Sequence, residues 1–96
     1  MKIVGRGKLD AYCNQHADAR RPVESWLAEV ASAHWATPQQ IKDRYASVSF
    51  LAGNIVIFNI KGNDYRLEVF IAYRTSVVVV KWMGTHAEYD ARNRRR

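Results

Sequence analysis

The sequence has little of what marks the specialised protein classes. Its single cysteine, Cys13, excludes an internal disulfide. Two prolines and five glycines among 96 residues exclude collagen-like and low-complexity chains. No apolar run approaches the 18 or so residues that a transmembrane helix requires, and no apolar stretch follows the basic residues of positions 1–9. We therefore expect one small cytoplasmic domain, spanning residues 1–96, with no signal peptide and no membrane association.

Motifs for metals and nucleotides are missing as well. The chain has no Cys-x-x-Cys, no His-Glu-x-x-His and no glycine-rich phosphate loop. The three histidines, His16, His34 and His86, lack the spacing of zinc ligands. We therefore expect no metal and no other cofactor.

Positive charge is what the chain does have. Fifteen basic residues, ten of them arginine, against nine acidic ones give a net charge of +6. Such a balance in a small domain favours a polyanion or an acidic protein as the partner, although a solvated basic surface without a partner remains an alternative. Four of the charges lie in residues 92–96, which we expect to form a frayed basic tail.

The first 45 residues have helical periodicity. Leu9, Tyr12, Cys13 and His16 follow the i, i+3, i+4, i+7 spacing of one helical face. A second helix is predicted to begin near Pro22 and to pair with the first as a hairpin that turns near residues 18–21. Its apolar stripe consists of Val23, Trp26, Leu27, Val30, Ala31 and His34.

Two capping patterns predict two further helices. Thr37 and Gln40, with Pro38 between them, give the start signal of a short third helix. Thr85 and Glu88 give the same Thr-x-x-Glu/Gln pattern before a last helix over about residues 86–92.

Residues 54–83 have the pattern of three antiparallel strands. Residues 55–60 are mostly β-branched or aromatic, Gly62-Asn63 predicts a hairpin turn, and residues 65–74 alternate strictly between two faces. A third strand is predicted over residues 77–83, ended by Gly84-Thr85. The order of helices and then strands predicts an α+β fold. The expected core consists of Trp26, Leu27, Val30, Val56, Phe58, Leu67, Val69, Ile71, Val77 and Val79.

One constellation in the second half could carry chemistry. Arg66 lies on the second of these strands, and His86, Tyr89 and Asp90 share one face of the last helix. Arginine can hold a phosphate and stabilise added negative charge, and the other three side chains can exchange protons. The alternative is structural, with Arg66 paired to Glu68 and Tyr89 packed on the core. On the same surface argument, we expect an RNA-binding role for Lys61, Arg74 and Lys81.

Two motifs in the expected order resemble the HigB family of type II toxin–antitoxin toxins, in the RelE/ParE superfamily. They are the Gly-Asn-x-Tyr-Arg-Leu motif of residues 62–67 and the Thr-His-x-Glu-Tyr-Asp motif of residues 85–90. The helical half, residues 26–45, is also similar to that family. The resemblance implies a RelE-like fold, with an N-terminal helical hairpin packed on a mainly antiparallel twisted sheet and a short C-terminal helix.

The resemblance also implies a function. Members of the HigB family are metal-independent mRNA interferases, which cleave messenger RNA, typically at the ribosome, by attack of the 2′-hydroxyl on the adjacent phosphorus. The resemblance implies catalytic roles for Arg66, His86, Tyr89 and Asp90. The implied partners are mRNA on the ribosome and a HigA-type helix-turn-helix antitoxin, with promoter DNA bound only through that antitoxin.

Two rival functions stay open from the sequence. One is a ParE-like gyrase poison without RNase activity, and the other is a non-enzymatic module that binds RNA or the ribosome. Pulse-labelling separates them, because an interferase stops translation first and a gyrase poison stops DNA synthesis first. Intact mRNA with stalled translation would indicate the binding module.

Overall fold

The computed structural model describes residues 1–94 of the chain. A 3₁₀ turn over Ala17–Ala19 joins the first two helices, and helices and strands together form the predicted α+β, RelE-like fold. In chain order the elements are β1 (Lys2–Val4), α1 (Arg6–Gln15), α2 (Arg20–Ser32), α3 (Pro38–Arg44), β2 (Ser49–Leu51), β3 (Ile55–Ile60), β4 (Tyr65–Ala72), β5 (Val77–Thr85) and α4 (His86–Arg94).

The five strands form one sheet in the order β1-β5-β4-β3-β2. The predicted meander of β3, β4 and β5 is antiparallel, whereas β1 pairs in parallel with the first three residues of β5. The short strand β2, antiparallel to β3, is one that the sequence did not predict. The β3–β4 hairpin turns at Lys61 and Gly62, which both have positive φ angles.

The three N-terminal helices cover one face of the sheet, which we call the inner face. Trp26 of α2 packs edge to face on Phe58 of β3, with ring centroids 5.4 Å apart. Leu9 of α1 and Ile41 of α3 are fully buried in the same cluster. Eight of the ten residues expected in the core are in this cluster or pack against it, so the alternation of β4 was predicted correctly. The predicted stripe of the second helix was correct only in part, because Ala31 is exposed and His34 is exposed and lies beyond the end of α2 at Ser32.

The expectation for β5 was wrong by one residue. Val78 and Val80 face the core, whereas Val77 and Val79 lie on the opposite, outer face and are only half-buried. The pairing of Ala72 with Val77 across the β4–β5 turn sets this register. Because all four residues are valine, the sequence has no alternation from which to read it. The strand also continues through Gly84 and Thr85, which we had expected to end it.

Helix α4 lies on the outer face, over β4 and β5. It runs two residues further than the predicted end at about residue 92, so Asn93 and Arg94 are helical although we expected them in a frayed tail. The remaining tail residues, 95 and 96, lie outside the described part of the chain. None of the helices within residues 1–94 has the length and apolarity needed to cross a bilayer.

Candidate active site

The start of α4 is held by a reciprocal cap. Thr85 N–H donates to Glu88 Oε1 at 2.7 Å, and Glu88 N–H donates to Thr85 Oγ1 at 3.0 Å. This is the capping box predicted from the sequence. In addition, His86 N–H donates to the backbone oxygen of Asp64 at 3.0 Å, which ties α4 to the β3–β4 turn. The first residue of α4 is therefore fixed by its own side-chain cap and by a neighbouring loop.

Glu88 also connects α4 to α1, at the other side of the β5 strand. The Tyr12 hydroxyl donates to Glu88 Oε1 at 3.1 Å. The backbone hydrogen bond from Thr85, with the Tyr12 hydroxyl as a further donor, lowers the pKa of Glu88 below its usual value. Burial and the neighbouring Glu88 carboxylate raise the pKa of Tyr12. Glu88 is thus held ionised, and Tyr12 protonated, at neutral pH.

One exposed pair on α4 combines a base with a carboxylate. His86 Nε2 lies 3.2 Å from Asp90 Oδ2, one helical turn away. The two side chains are 47% and 49% exposed, so solvent and a ligand can reach both. A carboxylate at this distance orients an imidazole through a hydrogen bond.

Arg66 lies at the same end of the sheet, on the outer face. Its partner across β4 and β5 is Gly84, two residues before His86. Its guanidinium donates to the backbone oxygens of Asn63, at 3.1 Å, and Tyr65, at 3.4 Å. Within residues 1–94 it forms no ion pair, so its charge is not neutralised there. The structural alternative in which Arg66 pairs with Glu68 is wrong, because Glu68 pairs with Arg92.

Helix α4 packs against the side chain of Trp82. Its ring lies beside Tyr89, with centroids 6.0 Å apart, and the Arg92 guanidinium lies 4.8 Å from its centroid. The same guanidinium donates to Glu68 Oε1 at 2.7 Å. The indole covers Gly84 so closely that a Cβ there would lie 2.4 Å from it. Gly84 is therefore needed for this arrangement.

The predicted RNA-binding residues do not all meet at this site. Lys61 is in the β3–β4 turn near it, but pairs with Asp18 at 2.8 Å and Asp64 at 3.5 Å. Arg74 lies in the turn after the opposite end of β4, whose last residue, Ala72, is about 20 Å from Arg66 at the usual rise of a strand. Lys81 occupies a β-bulge on β5, because Val69 and Glu68 of β4 pair with the residues before and after it.

The Asp18 pair is itself part of the support beneath the site. The Tyr65 hydroxyl donates to Asp18 Oδ1 at 2.5 Å. The hydrogen bonds from Lys61 and then Tyr65 lower the pKa of Asp18. These contacts join the turn between α1 and α2 to the β3–β4 turn.

Three residues of the site were not predicted from the sequence: Tyr12, Trp82 and, in its contact with α1, Glu88. Glu88 was identified only as a cap. Trp82 carried a signal, since an aromatic residue before a glycine on an outer strand position can cover that glycine. Tyr12 carried none, because it lies 76 positions from Glu88.

A comparison with protein families matches residues 19–92 to HigB_toxin, described as a RelE-like toxic component of a toxin–antitoxin system. The matched range covers about three-quarters of the chain and includes every predicted site residue. The chain belongs to this family. HigB-family membership confirms the resemblance seen in the two motifs, makes this protein the toxic component of such a system, and implies an antitoxin as its partner. No curated protein matches the chain.

Proposed function

We propose that this HigB-family toxin is an endoribonuclease that cleaves messenger RNA on the ribosome, without a metal ion, in the cytoplasm. The proposal is supported by the position of Arg66 and the His86–Asp90 pair, which lie together at one end of the outer face. An unneutralised cation beside a proton-exchanging pair is what cleavage by a neighbouring 2′-hydroxyl requires.

The chemistry needs three groups. A base removes the proton of the 2′-hydroxyl, whose oxygen attacks the adjacent phosphorus and displaces the 5′-oxygen of the next nucleotide. The products are a 2′,3′-cyclic phosphate and a 5′-hydroxyl, so the leaving oxygen must receive a proton. In our proposal Arg66 stabilises the charge on the phosphoryl oxygens, and His86 and Tyr89 share the proton transfers. Asp90 orients His86.

The test is single-turnover cleavage of a defined mRNA on programmed ribosomes. We expect Arg66→Ala to lower the rate about 10²-fold, the usual loss for a positioned charge contact to a transition state. His86→Ala should lower it about 10²- to 10⁴-fold. Arg21→Ala, on the exposed side of α2, and His34→Ala, on the loop after α2, are the matched controls and should leave the rate unchanged.

The substrate supplies the second control. An mRNA with a single 2′-deoxynucleotide at the cleavage position should not be cut, and the products of the normal mRNA should end in a cyclic phosphate. Unchanged cleavage by folded His86→Ala would remove His86 from the chemistry. An intact mRNA with the wild-type protein would contradict the proposal as a whole.

We further propose that the inhibiting antitoxin is of HigA type, with helix-turn-helix DNA-binding elements, and that the complex binds promoter DNA through the antitoxin. A toxin of charge +6 favours fast, salt-dependent association with an acidic partner surface. Co-expression with the adjacent gene product should give a stable complex and restore growth. Failure to co-purify, with undiminished toxicity, would contradict this partner.

A further inference from the structure

A cleft lies between α1 and the edge of β5, beside α4. Strand β1 pairs only with residues 77–79 of β5. The chain then turns at Gly5, whose φ is 93° and which packs against Val80 so tightly that a Cβ would lie 3.0 Å from its carbonyl oxygen. Helix α1 follows this turn and runs beside the rest of β5. Within residues 1–94, no strand pairs with this edge after Val79.

We call this space the β5-edge cleft and define it by Lys8, Tyr12 and Gln15 of α1 and Lys81 and Trp82 of β5. Its volume is about 460 Å³, and it is largely open to solvent. The bulge places Lys81 outside the β4–β5 ladder, at the border of the cleft. Lys81, for which the sequence predicts an RNA-binding role, therefore borders this cleft.

The charge of the cleft is of one sign. Lys8 and Lys81 are exposed, neither forms an ion pair within residues 1–94, and no carboxylate is among its lining residues. The groove on the other side of α1, towards α2, differs. There Arg6 and Arg20 are accompanied by Asp10 and Glu24, and Arg20 pairs with Asp10 at 2.9 Å. The β5-edge cleft thus combines a concave shape with uncompensated lysine charges, which the groove between α1 and α2 does not.

Its walls also carry aromatic rings. Tyr12 and Trp82 line the cleft, the first with one ring face stacked on His16 at 4.1 Å and the second with its ring in contact with Arg92. The parts of these rings that border the cleft are of the kind that contacts nucleic-acid bases. Lys8 and Lys81 suit phosphates, and the Gln15 amide can bond a base edge. The same two aromatics contact α4, Tyr12 through Glu88 and Trp82 through Tyr89. The cleft is therefore adjacent to the candidate active site.

We propose that the β5-edge cleft binds a nucleotide of single-stranded RNA next to the one held at Arg66 and His86. The inference rests on the proposed function for the identity of its ligand. Helix α1, which forms one wall, lies outside the range matched to the HigB family.

The test measures binding separately from cleavage. The probe is a fluorescein-labelled six-nucleotide RNA with 2′-O-methyl groups throughout, which cannot react through a 2′-hydroxyl. Lys8→Met and Lys81→Met remove the charges and keep much of the aliphatic chain. Arg21→Met, on the exposed side of α2, removes the same charge elsewhere and is the matched control.

We expect the double lysine variant to bind the RNA about 10-fold more weakly at low salt. The slope of log K against log salt should fall in magnitude by about 1.4, that is about 0.7 for each lost phosphate contact on a single strand. Arg21→Met should change neither the affinity for the RNA nor the slope of log K against log salt. A 4-thiouridine probe should crosslink to the peptides containing Tyr12 or Trp82.

Wild-type affinity and slope in the double variant, crosslinks confined to other segments, or no RNA binding by the wild-type protein would each overturn the inference. The outcomes separate it from the proposed function. A protein that binds RNA in the cleft but cuts none contradicts the proposed function alone. A protein that cuts mRNA while the double variant binds normally contradicts the cleft alone.

Discussion

Replacing Gly84 by alanine should displace the Trp82 ring and so weaken its contacts with Tyr89 and Arg92 of α4. The added Cβ would lie 2.4 Å from Trp82 Cη2 and 2.5 Å from Cζ2, whereas carbon atoms in contact are normally about 3.5–4.0 Å apart. The indole must therefore move by on the order of 1 Å, away from its contacts with Tyr89 and Arg92. Overpacking of this kind costs about 1–3 kcal/mol.

For a domain of this size, that cost lowers Tm by roughly 5–20 °C. Thermal unfolding followed by circular dichroism measures the change in Tm. The rate of mRNA cleavage, measured well below Tm, should also fall because His86 lies on α4. Gly7→Ala is the matched control. A Cβ at Gly7 in α1 meets no atom within 4 Å, so alanine there should leave stability unchanged or raise it by up to about 1 kcal/mol.

A double variant distinguishes the indole clash from a general effect of substitution. If Trp82 is the obstacle, Gly84→Ala should cost much less in a Trp82→Ala background, giving a coupling free energy of about 1 kcal/mol or more. A Gly84→Ala protein with wild-type Tm and cleavage would contradict this prediction. Equal costs in both backgrounds would refute the assignment of Trp82 as its cause.

Three further changes test how α4 is held. Tyr12→Phe removes the hydrogen bond to Glu88 and should lower cleavage several-fold with little change in Tm; an unchanged rate would show that the bond to α1 does not position α4. The lowered pKa of Glu88 means that its stabilisation is present above its unfolded pKa of about 4.3 and is lost as pH falls through the lower folded value. Near-ultraviolet circular dichroism should therefore change below about pH 4, and Glu88→Gln should abolish that change; its persistence in Glu88→Gln would assign it to other carboxylates. Arg92→Met leaves the Glu68 carboxylate, only 8% exposed, without this ion pair and should cost about 1–3 kcal/mol in unfolding free energy, whereas Arg94→Met should cost almost nothing, and equal effects would contradict the role of the ion pair.

The features that were predicted well depend on residues close together in the chain. The capping box of Thr85 and Glu88 spans three residues, and the face shared by His86 and Asp90 follows from helical geometry alone. The alternation of β4 was equally local. These patterns sufficed for the order of elements, for the α+β class and for the two motifs of the HigB family.

The features that were missed or misplaced depend on distant pairing. Neither the face of Val77–Val80 nor the bulge at Lys81 could be read from a uniform run of valines, because both follow from the pairing of β5 with β4. Arg74 and Arg66 belong to the same strand pattern, yet lie at opposite ends of the sheet. Strand β2 is only three residues long and is a strand only because it pairs with β3.

Most helices and strands, the net charge and the residues available for chemistry can be read from the amino-acid sequence, because helical and strand periodicity and capping are short-range properties. Which of these residues come into contact depends on how the chain folds. The fold brought Tyr12 to Glu88 across 76 positions, laid Trp82 over Gly84, and left an open edge of β5 beside α1. Such contacts arise because a sheet must bury one face against helices. The residues that then lie at its edges and on its other face are set by register and strand length, which no local pattern encodes.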